Sequence, residues 1–225
     1  MIYFRGCVAR EKLVNISKST EEILKCAGID YEVLENEKCC GSFLLRTGFV
    51  DEAKEIMQDT LKDIENEKIL VSCAGCYKTF KKDYKEILGV ELEVMHTSEL
   101  FNELLEKNKI ETKFLNKKVT YHDPCHLGRE MEKYDIPREV ILKIANLIEM
   151  DRNRENSRCC GAGAGVKSAY PEITEKVAKM RVKDAGNAEI IITTCPFCIL
   201  NLSSINSTKV MDISEIILKV LKKNN

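Results

Sequence analysis

The chain has 225 residues, 44% hydrophobic and 32% charged, with 35 Lys and Arg against 36 Asp and Glu for a net charge of -1. That length accommodates one or two domains with a substantial core. The even charge balance excludes a nucleic-acid binder held by bulk electrostatics and a polybasic membrane anchor. No apolar run reaches the ~18 residues of a membrane span, and MIYFRGCVAREK lacks the apolar core of a signal peptide, so the expected location is the cytoplasm.

In chain order, strands and helices alternate. IYFRG (2–6) reads as a short strand ending at Cys7, and residues 10–27 carry Leu13, Ile16, Ile23 and Leu24 on a helical period. YEVLE (31–35) is expected as a strand leading towards Cys39. Residues 51–65 place Ala53, Ile56, Met57, Thr60, Leu61 and Ile64 on one helical face. KILVS (68–72) is a strand ending at Cys73; 76–88 is helical, ELEVM (91–95) extended and 98–107 helical. The second half repeats the scheme with KKVTY (117–121), a helix over 137–148, a helix over 171–185, EIIITT (189–194) and a helix over 212–222. The expected fold class is therefore α/β, in two pseudo-symmetric halves, each a small parallel-sheet unit with helices packed on it. The boundary places a first domain at 1–112 and a second at 113–225.

Cysteine use is the unusual feature, with 11 in the chain. Setting Cys26 aside leaves two quintets: Cys7, Cys39, Cys40, Cys73 and Cys76, then Cys125, Cys159, Cys160, Cys195 and Cys198. Each reads C, CCG, CxxC. VMHTSELFNELL (94–105) also matches VMDISEIILKVL (210–221) at a constant offset of 116. The cysteines fall where strands end and helices begin, the edge at which open α/β sheets bind ligands. Thiols in a reducing compartment point to metal or redox chemistry rather than structural disulfides. Four thiolates suffice for one zinc or one cubane cluster, so two zinc sites would leave two of the ten idle. Adjacent cysteines suit a multi-iron site. Helix N-termini beside the thiols would stabilise an anionic cluster, and Gly41 and Gly161 would let backbone approach a bulky cofactor.

C-x(31)-CCG-x(31)-CAGC followed by C-x(33)-CCG-x(33)-CPFC resembles the cysteine-rich CCG-domain family, which includes the B-subunit of heterodisulfide reductase and the C-terminal half of its D-subunit. The strings YHDPCHLGR, CCGAGAGVKSAYPEI and TTCPFCILNL carry the same resemblance. It implies a noncubane [4Fe-4S] cluster in each quintet, with all ten cysteines as ligands. The implied function is an iron–sulfur oxidoreductase subunit of methanogenesis-type electron transfer, reducing a CoM-S-S-CoB-like disulfide to two thiols in one-electron steps. Lacking a CxxCxxCxxxC ferredoxin run, the chain would take electrons from a ferredoxin-like donor subunit, with a flavoprotein behind it. The alternative is a non-catalytic electron-transfer subunit of a fumarate/succinate, glycerol-3-phosphate or lactate/glycolate oxidoreductase complex.

Candidates for a substrate shell are His122, His126, Arg129, Lys167 and Arg46, as anion binders or proton donors. GAGAG (161–165) does not follow a strand, so flexible backbone near the cofactor is the better reading than a dinucleotide loop. Cys26 is expected as a buried apolar thiol, and His96, aligned with Asp212, as a helix cap or surface residue. The charge-rich stretches 51–68 and 149–158 read as solvated faces, the helix over 98–107 as core, and its twin over 214–221 as part of the contact between halves.

Overall fold

The computed structural model describes residues 1–64 and 66–222. In the first half the elements are β1 (Ile2–Phe4), α1 (Cys7–Glu11), α2 (Val14–Cys26), α3 (Ser42–Thr47), α4 (Val50–Ile64), β2 (Ile69–Val71) and α5 (Ala74–Lys78). A π turn (Thr79–Asp83) then joins α5 to α6 (Tyr84–Leu88), followed by β3 (Val94–His96) and α7 (Thr97–Glu106). The second half carries β4 (Leu115–Tyr121), α8 (Asp135–Ile144), β5 (Ala145–Leu147), α9 (Val166–Ala169) and α10 (Pro171–Asp184). It ends with β6 (Ile190–Thr193), α11 (Pro196–Leu202), β7 (Lys209–Asp212) and α12 (Ile213–Val220). No helix among the described residues is long and apolar enough to cross a membrane.

Both sheets are wholly parallel, ordered β1-β2-β3 and β5-β4-β6-β7. The central strands β2 (Ile69–Val71) and β6 (Ile190–Thr193) are fully buried and almost wholly apolar, as helix-covered parallel sheets require, and β4 is buried over its last three residues, Val119 to Tyr121. In the second sheet the first strand, β4, lies between β5 and β6, so the order reverses there. The C-terminal ends of β4 and β6 run straight into Cys125 and Cys195. In the first sheet, β1 and β2 deliver Cys7 and Cys73 in the same way. Such a switch point opens a crevice beyond the strand ends.

The two halves interlock. Helix α7 packs on α8, and α12 packs on α2, so each half lends its last helix to the other's first long helix. Leu24, Phe101, Ile141 and Ile217 belong to the single apolar cluster that results. At ~1.5–3 kcal/mol for each such buried side chain, this seam is held chiefly by apolar burial. The expected boundary at 112/113 falls between the two sheets, where Lys113 N–H donates to Val220 O at 2.7 Å.

Three local expectations are corrected, and a fourth is narrowed to one of its two alternatives. The strand expected over 31–35 is reduced to one bridge, Ile2 to Glu32, because Glu32 exchanges hydrogen bonds with Met1 and Tyr3 and the next residues leave the edge. The helix expected over 137–148 stops at Ile144; Ala145 turns extended (φ -157°, ψ 170°) and the chain pairs with β4 instead. Cys26 is exposed, since the buried stripe of α2 runs through Ile16, Ile23 and Leu24 and Cys26 lies off it. His96 is a helix cap, as its alignment with Asp212 implies, yet it is fully buried rather than on the surface.

His96 accepts from Ser98 N–H at the start of α7, and its Nε2 meets Thr194 O of the other half at 3.2 Å. Asp212 caps α12 in the same way. Burial lowers the His96 pKa to about 4 and raises that of Asp212 to about 7. Between pH 6.5 and 4 the unfolded imidazole binds a proton that folded His96 refuses, so acidification across that window favours unfolding. Asn is an adequate N-cap without this titration. Denaturant titrations at several pH values should show that the wild type loses more stability than H96N between pH 6.5 and 4, by up to roughly 3 kcal/mol. Parallel losses in the two proteins would contradict this assignment.

Candidate iron–sulfur centre

All ten cysteines of the two quintets line one cavity between the halves, and all are free thiols. The side-chain contacts run in an unbroken series: Cys7 to Cys39, Cys39 to Cys40, Cys40 to Cys76, Cys76 to Cys73. Cys73 then touches Cys195 across the seam, and the series continues through Cys198, Cys160 and Cys159 to Cys125. The order is a palindrome, as a pseudo-twofold axis between Cys73 and Cys195 demands.

Helix starts position these thiols. Helix α1 begins at Cys7 itself, α5 begins one residue after Cys73, and α11 one residue after Cys195. The second half departs from the scheme at Cys125, which is followed by turns rather than a helix. The first cysteine of each pair is the more acidic. Contacts from Cys40 and then Cys7 pull the Cys39 pKa down, with the Gly41 N–H contributing. Contacts from Cys125 and then Cys160 do the same for Cys159, to which Gly161 N–H donates at 3.3 Å. Cys73 is held well below the usual thiol range, first by contact with Cys195. Cys195 is pushed up to about 11, the Cys198 contact that lowers it being outweighed by Cys73 and burial. A set of unbridged thiols packed this closely, with Cys39, Cys73 and Cys159 drawn to the acidic side, fits a multi-iron cofactor.

Gly41 and Gly161 serve the site through their N–H groups. Both have positive φ (+86° and +95°), and an added Cβ would meet Met57 at 2.7 Å or Thr174 O at 3.1 Å, on the α4 and α10 side. The glycines that give the cavity floor its room are Gly6 and Gly75. A Cβ there would meet Cys76 Sγ at 3.3 Å and His126 Nδ1 at 3.4 Å respectively. Neither is legible as special in the sequence, because the close approach arises between segments far apart in the chain.

The expected substrate shell divides. Arg46 and His126 line the cavity, as do Ala162, Gly163 and Ala164 of the GAGAG segment. Arg46 donates to Asp83 at 2.8 Å, and Asp83 also receives Lys78 Nζ at 2.5 Å. This buried Lys78–Asp83 pair at the ends of the π turn had no signal in the repeat. Burial, then the charges of Arg46 and Lys78, hold the His126 pKa below its ordinary value. The other three candidates lie elsewhere. Arg129 donates to Ser157 O at 2.7 Å. Lys167 spans Leu200 O and Asn201 Oδ1, at 3.2 and 2.9 Å. His122 is 1% exposed and sits behind the sulfurs, with Arg181 Nε donating to its Nδ1 at 2.8 Å.

The cysteine-rich CCG domain family model matches residues 1–81 and 119–203, and the chain belongs to that family. Among curated proteins it is 44% identical to the D-subunit of dihydromethanophenazine:CoB–CoM heterodisulfide reductase of Methanosarcina acetivorans, covering 90% of this chain and 53% of that one. It is 34% identical to the B-subunit of fumarate reductase (CoM/CoB) of Methanothermobacter marburgensis, over 96% of this chain and 45% of that one. It is 30% identical to the EtfAB:quinone oxidoreductase of Syntrophomonas wolfei, over 98% of this chain and 34% of that one. The chain thus spans about half, or less, of the length of these relatives.

Gly75 lies inside α5 with ordinary φ, where Ala is intrinsically favoured by roughly 0.5–1 kcal/mol. G75A should leave the metal-free chain at least as stable as the wild type in thermal unfolding, yet reduce its iron uptake on anaerobic reconstitution. Undiminished iron in G75A would show that the floor of the cavity is not where the cofactor sits.

Proposed function

We propose that the chain is an iron–sulfur oxidoreductase subunit that reduces a disulfide of the CoM-S-S-CoB type to two thiols. The reading rests on one observation: ten free thiols from two pseudo-equivalent quintets line a single cavity and meet at Cys73 and Cys195. Each quintet would hold one noncubane [4Fe-4S] cluster, and such clusters supply one-electron transfer when bound. Splitting a disulfide consumes two electrons and two protons, matching two such groups in one cavity.

The chain's own residues supply what remains. Arg46 and His126, on the cavity wall, are placed to bind an anionic substituent of the substrate and to hold a proton near a departing thiolate. Lys78 and Asp83 fix Arg46 in place. Phe43 and Phe197 give the cavity an apolar wall. Electrons would arrive from a ferredoxin-like donor subunit, with a flavoprotein behind it. A purely electron-carrying role has its own support in the resemblance to the EtfAB:quinone oxidoreductase.

The anaerobically reconstituted chain should bind about eight irons, and Cys125→Ser should lose about half of them. Reduced protein mixed with the CoM–CoB heterodisulfide should be reoxidised with release of two thiols per disulfide. Full iron content with no thiol release would instead favour the carrier role.

A further inference from the structure

The two halves share a scaffold but differ behind their sulfurs. Tyr3 and Tyr121 are equivalent, each hydroxyl meeting the residue before its CxxC, Ser72 at 2.7 Å and Thr194 at 2.9 Å. The next residue is Phe4 in the first half and His122 in the second. Phe4 packs edge-on against Phe80 at 4.9 Å. His122 instead places a ring nitrogen and the sulfurs of Cys160 and Cys198 within 4.8 Å of one another. Behind it stands Arg181, fully buried. The α4 residue in the place of Arg181 is Thr60, by the offset of 121 that maps the buried residues Ala53, Met57 and Thr60 of α4 onto Thr174, Ala178 and Arg181 of α10.

Arg181 fixes the proton on His122. A guanidinium has no acceptor, so the nitrogen that receives Arg181 Nε–H must carry a lone pair. The proton of the neutral ring therefore sits on Nε2, which is buried and has no hydrogen-bond partner among the described residues. This is the reverse of a metal-ligating histidine, whose second nitrogen ordinarily donates to a carboxylate or carbonyl. The ring thus keeps a buried, unpartnered N–H close to the sulfurs of Cys160 and Cys198, with a buried cation behind it. In the first half the polar group closest in kind is the Tyr84 hydroxyl, which stands beside Thr60 rather than an arginine.

We propose that His122, held by Arg181, presents its unpartnered Nε2–H to the iron–sulfur group that the second quintet would hold and thereby sets that group at a higher reduction potential than that of the first. Hydrogen bonds to sulfur and nearby positive charge both favour the reduced, more negative state. With both groups bound, an electron would be held preferentially in the second half. His122 is a positioning residue for charge, not a substrate contact. The inference rests on the cluster-binding reading above.

The test is a redox titration of the anaerobically reconstituted full chain, followed by electron paramagnetic resonance, with iron determined on every sample. The wild type should titrate in two separate steps. H122F, which copies the first half, should lower the higher step alone, by about tenfold in the reduced-to-oxidised ratio at fixed ambient potential, ~59 mV for one electron. H122Q, which keeps an N–H donor, should restore part of the difference. R181M, which leaves the imidazole but frees its tautomer, should shift the same step in the same direction and covers the case in which H122F loads iron poorly. Fully loaded variants that titrate like the wild type, or that lower both steps equally, would overturn the inference. A wild-type chain that binds no iron would remove the underlying reading, and this one with it; the iron assay separates the two failures.

Discussion

Cys73 and Cys195 touch across the seam between two parallel sheets, and the geometry of the site follows from that contact. Each thiol stands just past the C-terminal end of its central strand, at the start of a helix. The exchange of last helices, α7 onto α8 and α12 onto α2, holds the two strand edges facing each other. Apart from that interlock, each quintet would line an open crevice of its own. With it, the crevices merge into one cavity lined by sulfur and glycine, with His126 and Arg46 on its wall.

Duplication produced a symmetric frame, and the departures from symmetry carry the chemistry. The first half places cations, Arg46 and Lys78, around Asp83 beside the cavity. At the corresponding place in the second half, Lys167 is spent on Leu200 O and Asn201, and Asn201 in turn donates to Cys160 O. The second half also keeps a buried carboxylate, Asp123, bound to Arg138 through two hydrogen bonds of 2.6 and 3.0 Å. Its counterpart position is Arg5, whose N–H instead donates to buried Glu37. Both devices tie down the turn that leads from the first strand into its cysteine, by opposite assignments of charge.

The α/β class, the parallel sheets and the duplication were legible because cysteine spacing and strand–helix alternation survive in each half. The convergence of the thiols was legible for the same reason: strand ends at one edge of an open sheet share a crevice. What escaped the sequence depends on contacts between distant segments. The glycines that open the cavity, Gly6 and Gly75, meet Cys76 and His126 only in three dimensions. His122 stands three residues before Cys125 and reads as a substrate-shell candidate, but the strand buries it and Arg181, 59 residues away, sets its role. Residues 145–147 continue a helical apolar pattern and are nonetheless drawn into the sheet by β4, a tertiary preference that outweighs local periodicity.

The central claim is that each quintet encloses its own iron–sulfur group and that the two meet beside Cys73 and Cys195. Iron-edge anomalous diffraction from crystals of the anaerobically reconstituted chain tests it most directly. The account predicts two separate iron groups, one within each set of five thiols, with their nearest approach at that contact. A single metal held by His122, Cys160 and Cys198, or iron shared between thiols of both quintets, would contradict it.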